Sequence, residues 1–412
     1  MEYYPRKIEE KLDKWLKRRE IILIKGPRQS GKTTLLLHLN EKLNGNYVTL
    51  EDEDIKLSLE NNPKEFAKRY LDSKFLFIDE AQYLKNIGKK LKLLFDLFGD
   101  KLKLIITGSG SFDIKVEVGK YLVGRAIYFE LYPLTFEEFL LWKDKSLYKI
   151  FLDYRKKLID FILKYNSIEK PVFEKEFYSL LEEYLIFGGF PAIVKEKSDE
   201  IKKELLKNLV RTYLEKDVFF FLGIRHLDKF RNLLKYLAFN IGSLLNISSI
   251  MQEFKIDYKT VEKYLAILYN TYIISLLPPF YRNLSTELKK SKKIYYIDIG
   301  LRNALIDNFT SLDKRQDKGE IYGNYIFNEL KNYFKDVKYW RTTGKAEVDF
   351  VIKVNNEIVP VEVKSKTKLT RGFISFLKTY KPKRAIVFSS KEFGIRKIEK
   401  TKVAFVLTKF KL

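Results

Sequence analysis

Gly26, Gly31, Lys32 and Thr33 stand in the spacing Gly-x4-Gly-Lys-Thr, and these residue types in this order suit one chemistry. Two glycines let a backbone curl around a phosphate, the lysine reaches the outer phosphates of a chain, and the threonine hydroxyl can join the shell of a Mg²⁺ ion. Pro27, Arg28, Gln29, Ser30 and Thr34 complete the loop that would hold the nucleotide. A second acidic feature lies downstream. Lys74 to Ile78 is an apolar run ending in Asp79 and Glu80. Ligands of a parallel sheet gather at the carboxyl ends of its strands, which places Asp79 to hold the Mg²⁺ shell with Thr33 and Glu80 to orient or deprotonate the attacking water. A further run, Leu102 to Ile106, ends in Thr107-Gly108-Ser109, where Thr107 or Ser109 can sense the outermost phosphate. No Asn-Lys-x-Asp guanine-reading motif occurs, so ATP with Mg²⁺ is the expected ligand.

These groups need a scaffold. Ile21 to Ile24 reads as a short buried strand feeding the loop, and the apolar periodicity after Lys32 reads as a helix whose free N-terminal amides favour an anion. Ile8, Leu12, Trp15 and Leu16 share one face of a leading helix. A second strand is expected at Tyr47 to Leu50, a solvated loop at the acidic patch Glu51 to Asp54, and a crossover helix at Leu84 to Phe98. From about Phe136 to Tyr236 the chain turns helical, Lys-rich and aromatic. Ile247 to Phe254 and Tyr258 to Leu265, separated by a brief turn, read as a helix-turn-helix with Val261, Leu265 and Leu268 inward and Lys259, Thr260 and Lys263 outward.

Glu347 to Lys364 is two alternating runs around Asn355-Asn356, residues that tolerate a two-residue hairpin turn. If those two form the turn, Asp349 lies opposite Glu362, and Lys364 shares the face of Glu362. Facing carboxylates repel unless a divalent cation sits between them. The pair is hard oxygen ligation suited to Mg²⁺, and Lys364 could hold the attacking water or the charge of phosphodiester hydrolysis. The plainer alternative is a solvated hairpin on which Lys364 merely pairs with the two acids.

Composition narrows the partners. The chain has 412 residues and is 46% hydrophobic, enough for several packed domains. It has no Cys, which excludes disulfides, thiolate zinc sites and cysteine nucleophiles, and its two His lie far apart in sequence. A net charge of +24 points to an anionic partner, with DNA first, although a Lys- and Glu-rich chain without Cys is also the composition of heat-stable proteins. No apolar run reaches the roughly 18 residues of a membrane span, so no membrane partner and a cytoplasmic location are expected.

The motifs Gly26 to Thr34, Phe77 to Gln82, Ile106 to Ser111, Leu131 to Phe139 and Phe187 to Pro191 together resemble the AAA+ ATPases. The likeness is closest to the archaeal and bacterial family that couples such a core to a winged helix and a C-terminal nuclease-like domain. The resemblance implies an α/β P-loop sheet with its loop strand flanked centrally. It also makes Arg125 the arginine that completes a neighbour's active site, and hence a homo-oligomer. Arg211 and Arg225 are both candidates for a second nucleotide-sensing arginine. Asp349, Glu362 and Lys364 resemble the PD-(D/E)XK nuclease core, in which a further Glu is expected on the preceding helix. Gly323 stands at that position, with Glu320 and Glu329 as possible substitutes.

The expected division is an ATPase core at 1–140, a helical lid at 141–235, a winged helix at 236–285 and a restriction-endonuclease-like α/β domain at 286–412. The function expected is Mg²⁺-dependent ATP hydrolysis coupled to DNA-associated domains. The alternatives are a slow nucleotide-dependent switch whose C-terminal domain only binds, and an active Mg²⁺-dependent DNA nuclease.

Overall fold

Short apolar runs, buried on both sides at the centre and partly exposed at the two edges, build the N-terminal sheet of the computed structural model, which describes residues 3–108, 120–164, 168, 173–215, 218, 224, 226–281, 287, 290–364 and 369–407. Its strands are β1 (Ile21–Lys25), β2 (Asn46–Thr49), β3 (Phe75–Asp79), β4 (Lys103–Gly108) and β5 (Ala126–Glu130). All pairings are parallel, in the order β2-β3-β4-β1-β5, so the loop strand is flanked on both sides, by β4 and β5, but stands second from the edge and not at the centre. Alternate residues go to opposite layers. Ile22, Ile24, Phe77 and Ile105 pack with Leu35 and Leu36 of the Lys32–Leu43 helix and with Ile8, Leu12 and Leu16, while Leu23, Ile78 and Ile106 pack with Leu91 and Leu94 of the Ile87–Phe98 helix.

Two local expectations are corrected. The acidic patch is a helix start and not a loop: Asp52 accepts from the amides of Asp54 and Ile55, and Glu53 and Asp54 occupy the first turn of the Glu53–Asn61 helix, where carboxylates offset the helix dipole. The crossover helix begins at Ile87, because Glu80 and Asn86 both adopt left-handed backbone and confine Ala81–Tyr83 to a 3₁₀ turn.

After β5 come the helices Phe136–Lys143, Lys145–Lys164, Glu174–Phe187, Pro191–Lys195, Asp199–Thr212 and Leu227–Phe239. The Ile247–Phe254 and Tyr258–Asn270 helices follow, turned at left-handed Lys255 and succeeded by an antiparallel pair, β6 (Ile274–Leu277) and β7 (Lys293–Tyr296). Val261, Leu265 and Leu268 are buried as expected, and Lys259 and Lys263 are exposed. Thr260, expected on the outward face, gives its hydroxyl to Asp257 and so serves the helix cap. A mixed sheet closes the chain: β8 (Val337–Arg341), β9 (Glu347–Val354), β10 (Glu357–Lys364), β11 (Arg384–Ser389), β12 (Gly394–Ile398) and β13 (Thr401–Leu407), in the order β12-β13-β11-β10-β9-β8. One hydrophobic cluster runs from Leu134 through these helices to one face of the final sheet at Leu407, while the other face packs Trp340, Val351, Val387 and Phe405 against Phe373, Phe376 and Leu377 of the Arg371–Tyr380 helix in a separate cluster. Among the described residues no helix is long and apolar enough to cross a membrane.

That core contains a carboxyl group. Glu329, on the Lys318–Tyr333 helix, is 2% exposed and its Oε2 has no hydrogen-bond partner. Burial pushes its pKa up from 4.5 to about 8; Glu137 adds to the rise, and Lys7, Arg155 and the Phe136 amide oppose it. A carboxyl that takes up a proton on folding gives stability that is full below its unfolded pKa and lost as pH rises through the folded one. Glu329→Gln is therefore expected to match the native chain in denaturant stability near pH 4 and to exceed it above pH 8, by on the order of a few kcal/mol. Parallel pH profiles for the two proteins would contradict this.

Candidate functional site

The glycine loop is shaped by its neighbours before any ligand enters. Gly26 lies so close to β5's continuation that a Cβ would collide with the Leu131 carbonyl oxygen, and Gly31, at φ 93°, takes a conformation that glycine adopts at no steric cost. Gln29 shares the left-handed region at φ 58°. The Lys32–Leu43 helix starts without a side-chain cap, leaving its first amides for an anion. Lys32 is buried and its ammonium donates to the carbonyls of Gly26 (3.0 Å) and Pro27 (2.6 Å), inside the curve of the loop. Pro27 is buried, Arg28 half-buried, and Gln29, Thr33 and Thr34 exposed. The Ser30 hydroxyl is buried with no hydrogen-bond partner, a polar atom inside the cradle that suits a phosphate oxygen.

The acids arrive where the sequence suggests. Asp79, 1% exposed, ends β3, one strand removed from β1. Its Oδ2 accepts from Thr33 Oγ1 at 2.7 Å and from the Tyr47 hydroxyl at 3.0 Å. Its Oδ1 accepts from the Thr107 hydroxyl and, at 3.0 Å, from the Glu80 amide. Thr33 and Asp79 thus meet as a magnesium shell requires. Glu80 holds left-handed backbone at φ 54°, and Gln82 donates to its carboxylate. Burial raises the Glu80 pKa, with Lys32 and Arg28 opposing and Asp79 adding to the rise. A carboxylate made more basic in this way is better matched to accepting a proton from water.

Other expected residues lie elsewhere. Thr107 joins the Asp79 cluster, while Ser109 and Arg225 fall outside the described residues. Arg125 precedes β5 at the end of the sheet away from the loop: its carbonyl accepts from the Ile21 amide and its Nε donates to Asp96 at 2.8 Å. It does not reach the loop of its own chain. Arg211 pairs with Glu215 on the surface and touches no loop residue. Tyr47, Gln82 and Arg6 are neighbours that sequence reasoning missed. Only Gln82, within the Phe77 to Gln82 motif, carried a local signal.

The C-terminal hairpin has the expected register. Asn355 and Asn356 turn it at φ 48° and 64°, and Val354 opposes Glu357 through to Phe350 opposite Val361. Asp349 and Glu362 follow. The Asp349 amide donates to Glu362 Oε2 at 3.4 Å, and the Val363 amide to Asp349 Oδ2 at 2.8 Å. Lys364 and Thr370 also hold Glu362, at 3.1 and 2.9 Å. Burial and mutual repulsion raise the pKa of Glu362, and burial raises that of Asp349. Asp349, Lys364, Lys293, Glu320 and Gly323 line one cleft of about 720 Å³. Glu320 therefore shares the cleft with Gly323, whereas Glu329 is turned into the core and does not substitute for the missing acid. The two carboxylates suit a cation, yet among the described residues no three acidic or histidine side chains gather as a metal site.

Residues 18–140 match the family described as AAA domain, and residues 178–312 and 318–410 match two families each described as a domain of unknown function. An uncharacterized protein of Methanocaldococcus jannaschii is 31% identical over 357 residues, covering 83% of this chain and 74% of that protein. An uncharacterized protein of Haemophilus influenzae is 25% identical over 365 residues, covering 83% of this chain and 82% of its own length. Among solved structures, the ADP form of the Aeropyrum pernix ORC2 protein aligns with 75% of this chain and 97% of that chain at 12% identity and a TM-score of 0.31, a likeness too loose to carry an argument.

The loop geometry is directly testable. Gly26→Ala is expected to cost about 1–3 kcal/mol through overpacking against Leu131 and to abolish any rise in Tm on adding Mg²⁺ and ATP. A variant as stable and as responsive as the native chain would refute the close approach.

Proposed function

This chain belongs to the same family as its Methanocaldococcus jannaschii relative and carries an AAA domain over residues 18–140, and from that premise we propose that it binds Mg²⁺ and ATP and hydrolyses the nucleotide. The observation that carries the reading is the meeting of Thr33 and Asp79 at 2.7 Å, with Glu80 next in the chain. Gly26 to Thr34 would wrap the phosphates through their amides, and Lys32 would leave the Gly26 and Pro27 carbonyls for the outer phosphates. Thr33 and Asp79 would hold the metal, which when bound supplies charge neutralisation to the phosphate chain. Glu80 would orient a water and take its proton, held in place by Gln82. Thr107, bonded to Asp79, would act as the sensor of the outermost phosphate. Arg125 lies too far from its own loop, so in this reading it serves a neighbouring copy in a homo-oligomer.

The partner proposed for the remainder is DNA. The net charge of +24, the exposed Lys259 and Lys263 on the Tyr258–Asn270 helix and the lysines of the C-terminal cleft support it. The helix pair and the β6–β7 hairpin would act as a winged helix, and the final mixed sheet as a nuclease-like domain. The division at 140, 235 and 285 is part of the same proposal. A nuclease reading is favoured by one observation, the convergence of Asp349, Glu362 and Lys364, and opposed by Gly323.

Two experiments separate these readings. Glu80→Gln is expected to bind ATP as tightly as the native chain while turnover falls by about 10² or more; equal, negligible turnover in both proteins would favour a slow switch. Asp349→Ala is expected to abolish any Mg²⁺-dependent nicking of plasmid DNA, and the absence of nicking by the native chain with Mg²⁺ or Mn²⁺ would reject cleavage.

A further inference from the structure

Two consecutive residues near the N-terminus grip the loop and the C-terminal half at once. Arg6 is 7% exposed and spreads its guanidinium over three acceptors: Ser30 O within the loop at 2.9 Å, Tyr132 O at 2.8 Å and Glu138 Oε1 at 3.0 Å. Glu138 in turn completes the capping box with Thr135 that starts the Phe136–Lys143 helix. Lys7 faces the other side. Its ammonium donates to Glu137 and, at 3.1 Å, to the Tyr333 hydroxyl, the last residue of the Lys318–Tyr333 helix. Arg155 donates to the same carboxylate and the same hydroxyl, and Tyr333 donates to Glu137 at 2.9 Å.

The far end of that helix reaches the cleft. Gly319, Glu320 and Gly323 line it beside Asp349 and Lys364. One turn before Tyr333, Glu329 is buried in the core, close enough to Lys7, Glu137 and Arg155 for their charges to act on it.

We propose that Arg6 and Lys7 form a coupling element that transmits nucleotide occupancy of the loop to the Lys318–Tyr333 helix and through it to the cleft. The inference rests on the nucleotide reading of the loop. A phosphate chain entering the loop must adjust the backbone whose Ser30 carbonyl Arg6 holds. The guanidinium is planar and its remaining arms are fixed to Tyr132 and Glu138, so it moves as a unit with them. Lys7 is covalently next, and a close-packed junction passes such a shift on instead of absorbing it. Coupling is a free energy between two sites, so it is measured as a response at one to a ligand at the other.

Hydrogen exchange on the full chain, with and without Mg²⁺ and a non-hydrolysable ATP analogue, tests this. The native chain is expected to gain protection both at 26–43 and at 318–333. Lys7→Met, which removes the ammonium but keeps the stem, and Tyr333→Phe, which removes only the hydroxyl, are each expected to bind the analogue within about threefold of the native affinity while the change at 318–333 falls by at least half. The second variant keeps the test valid if the first is poorly folded. Protection at 26–43 without any change at 318–333 in the native chain overturns the coupling alone, as does an undiminished change in both variants. No protection at 26–43 at any concentration of analogue overturns the nucleotide reading and this inference with it.

Discussion

A carboxylate taken out of water must be met by donors, and Asp79 is met by four. Buried at the end of β3, it accepts hydroxyls from Thr33, Tyr47 and Thr107 and the amide of Glu80. Each donor comes from a different element: the loop helix, β2, β4 and the turn that follows Asp79 itself. The parallel order β2-β3-β4-β1 is what lets their carboxyl ends converge on one point. An unpaired charge at that depth would cost several kcal/mol, so the carboxylate specifies the local arrangement as much as it is served by it. The start of the loop helix, the turn at Glu80 and the Thr107 hydroxyl are all placed by that one requirement.

Away from the sheet, the molecule is organised by contacts across long sequence distances. Arg6 ties the N-terminal segment to the loop and to the Phe136–Lys143 helix, and Lys7 ties it to Tyr333. The helices after β5, the helix-turn-helix pair and one face of the final mixed sheet share one hydrophobic cluster, and the other face of that sheet has its own. Within that cluster Asp298 is buried and accepts from the Gly189 and Leu301 amides; burial nevertheless pushes its pKa up to about 6. Gly189 O in turn accepts from the Leu134 amide, so the Phe187 to Pro191 motif is locked between the exit of β5 and the Ile299–Leu305 helix.

What was legible in the sequence was local or periodic. The loop spacing, the strand ending in Asp79 and Glu80 and the hairpin register that brings Asp349 to Glu362 all follow from short-range rules, because strand alternation has a fixed period and a two-asparagine turn fixes the pairing. Arg6 was not legible, since nothing in the sequence around it signals that the Ser30 carbonyl, 24 residues on, will accept a hydrogen bond from its guanidinium. Tyr47 looked like an ordinary strand residue. Glu329 and Glu320 are nine residues apart on one helix, yet one enters the core and the other the cleft; only the tertiary packing of that helix decides which. The acidic patch misled because Asp, Glu and turn residues serve loops and helix starts alike.

The central claim is that Thr33 and Asp79 hold a metal against a triphosphate wrapped by Gly26 to Thr34. Titration calorimetry of ATP into the native chain and into Asp79→Asn, each with and without Mg²⁺, tests it most directly. The account predicts native binding that tightens on adding Mg²⁺ and an Asp79→Asn variant that has lost that gain. No ATP binding by the native chain, or binding indifferent to both Mg²⁺ and Asp79, would contradict it.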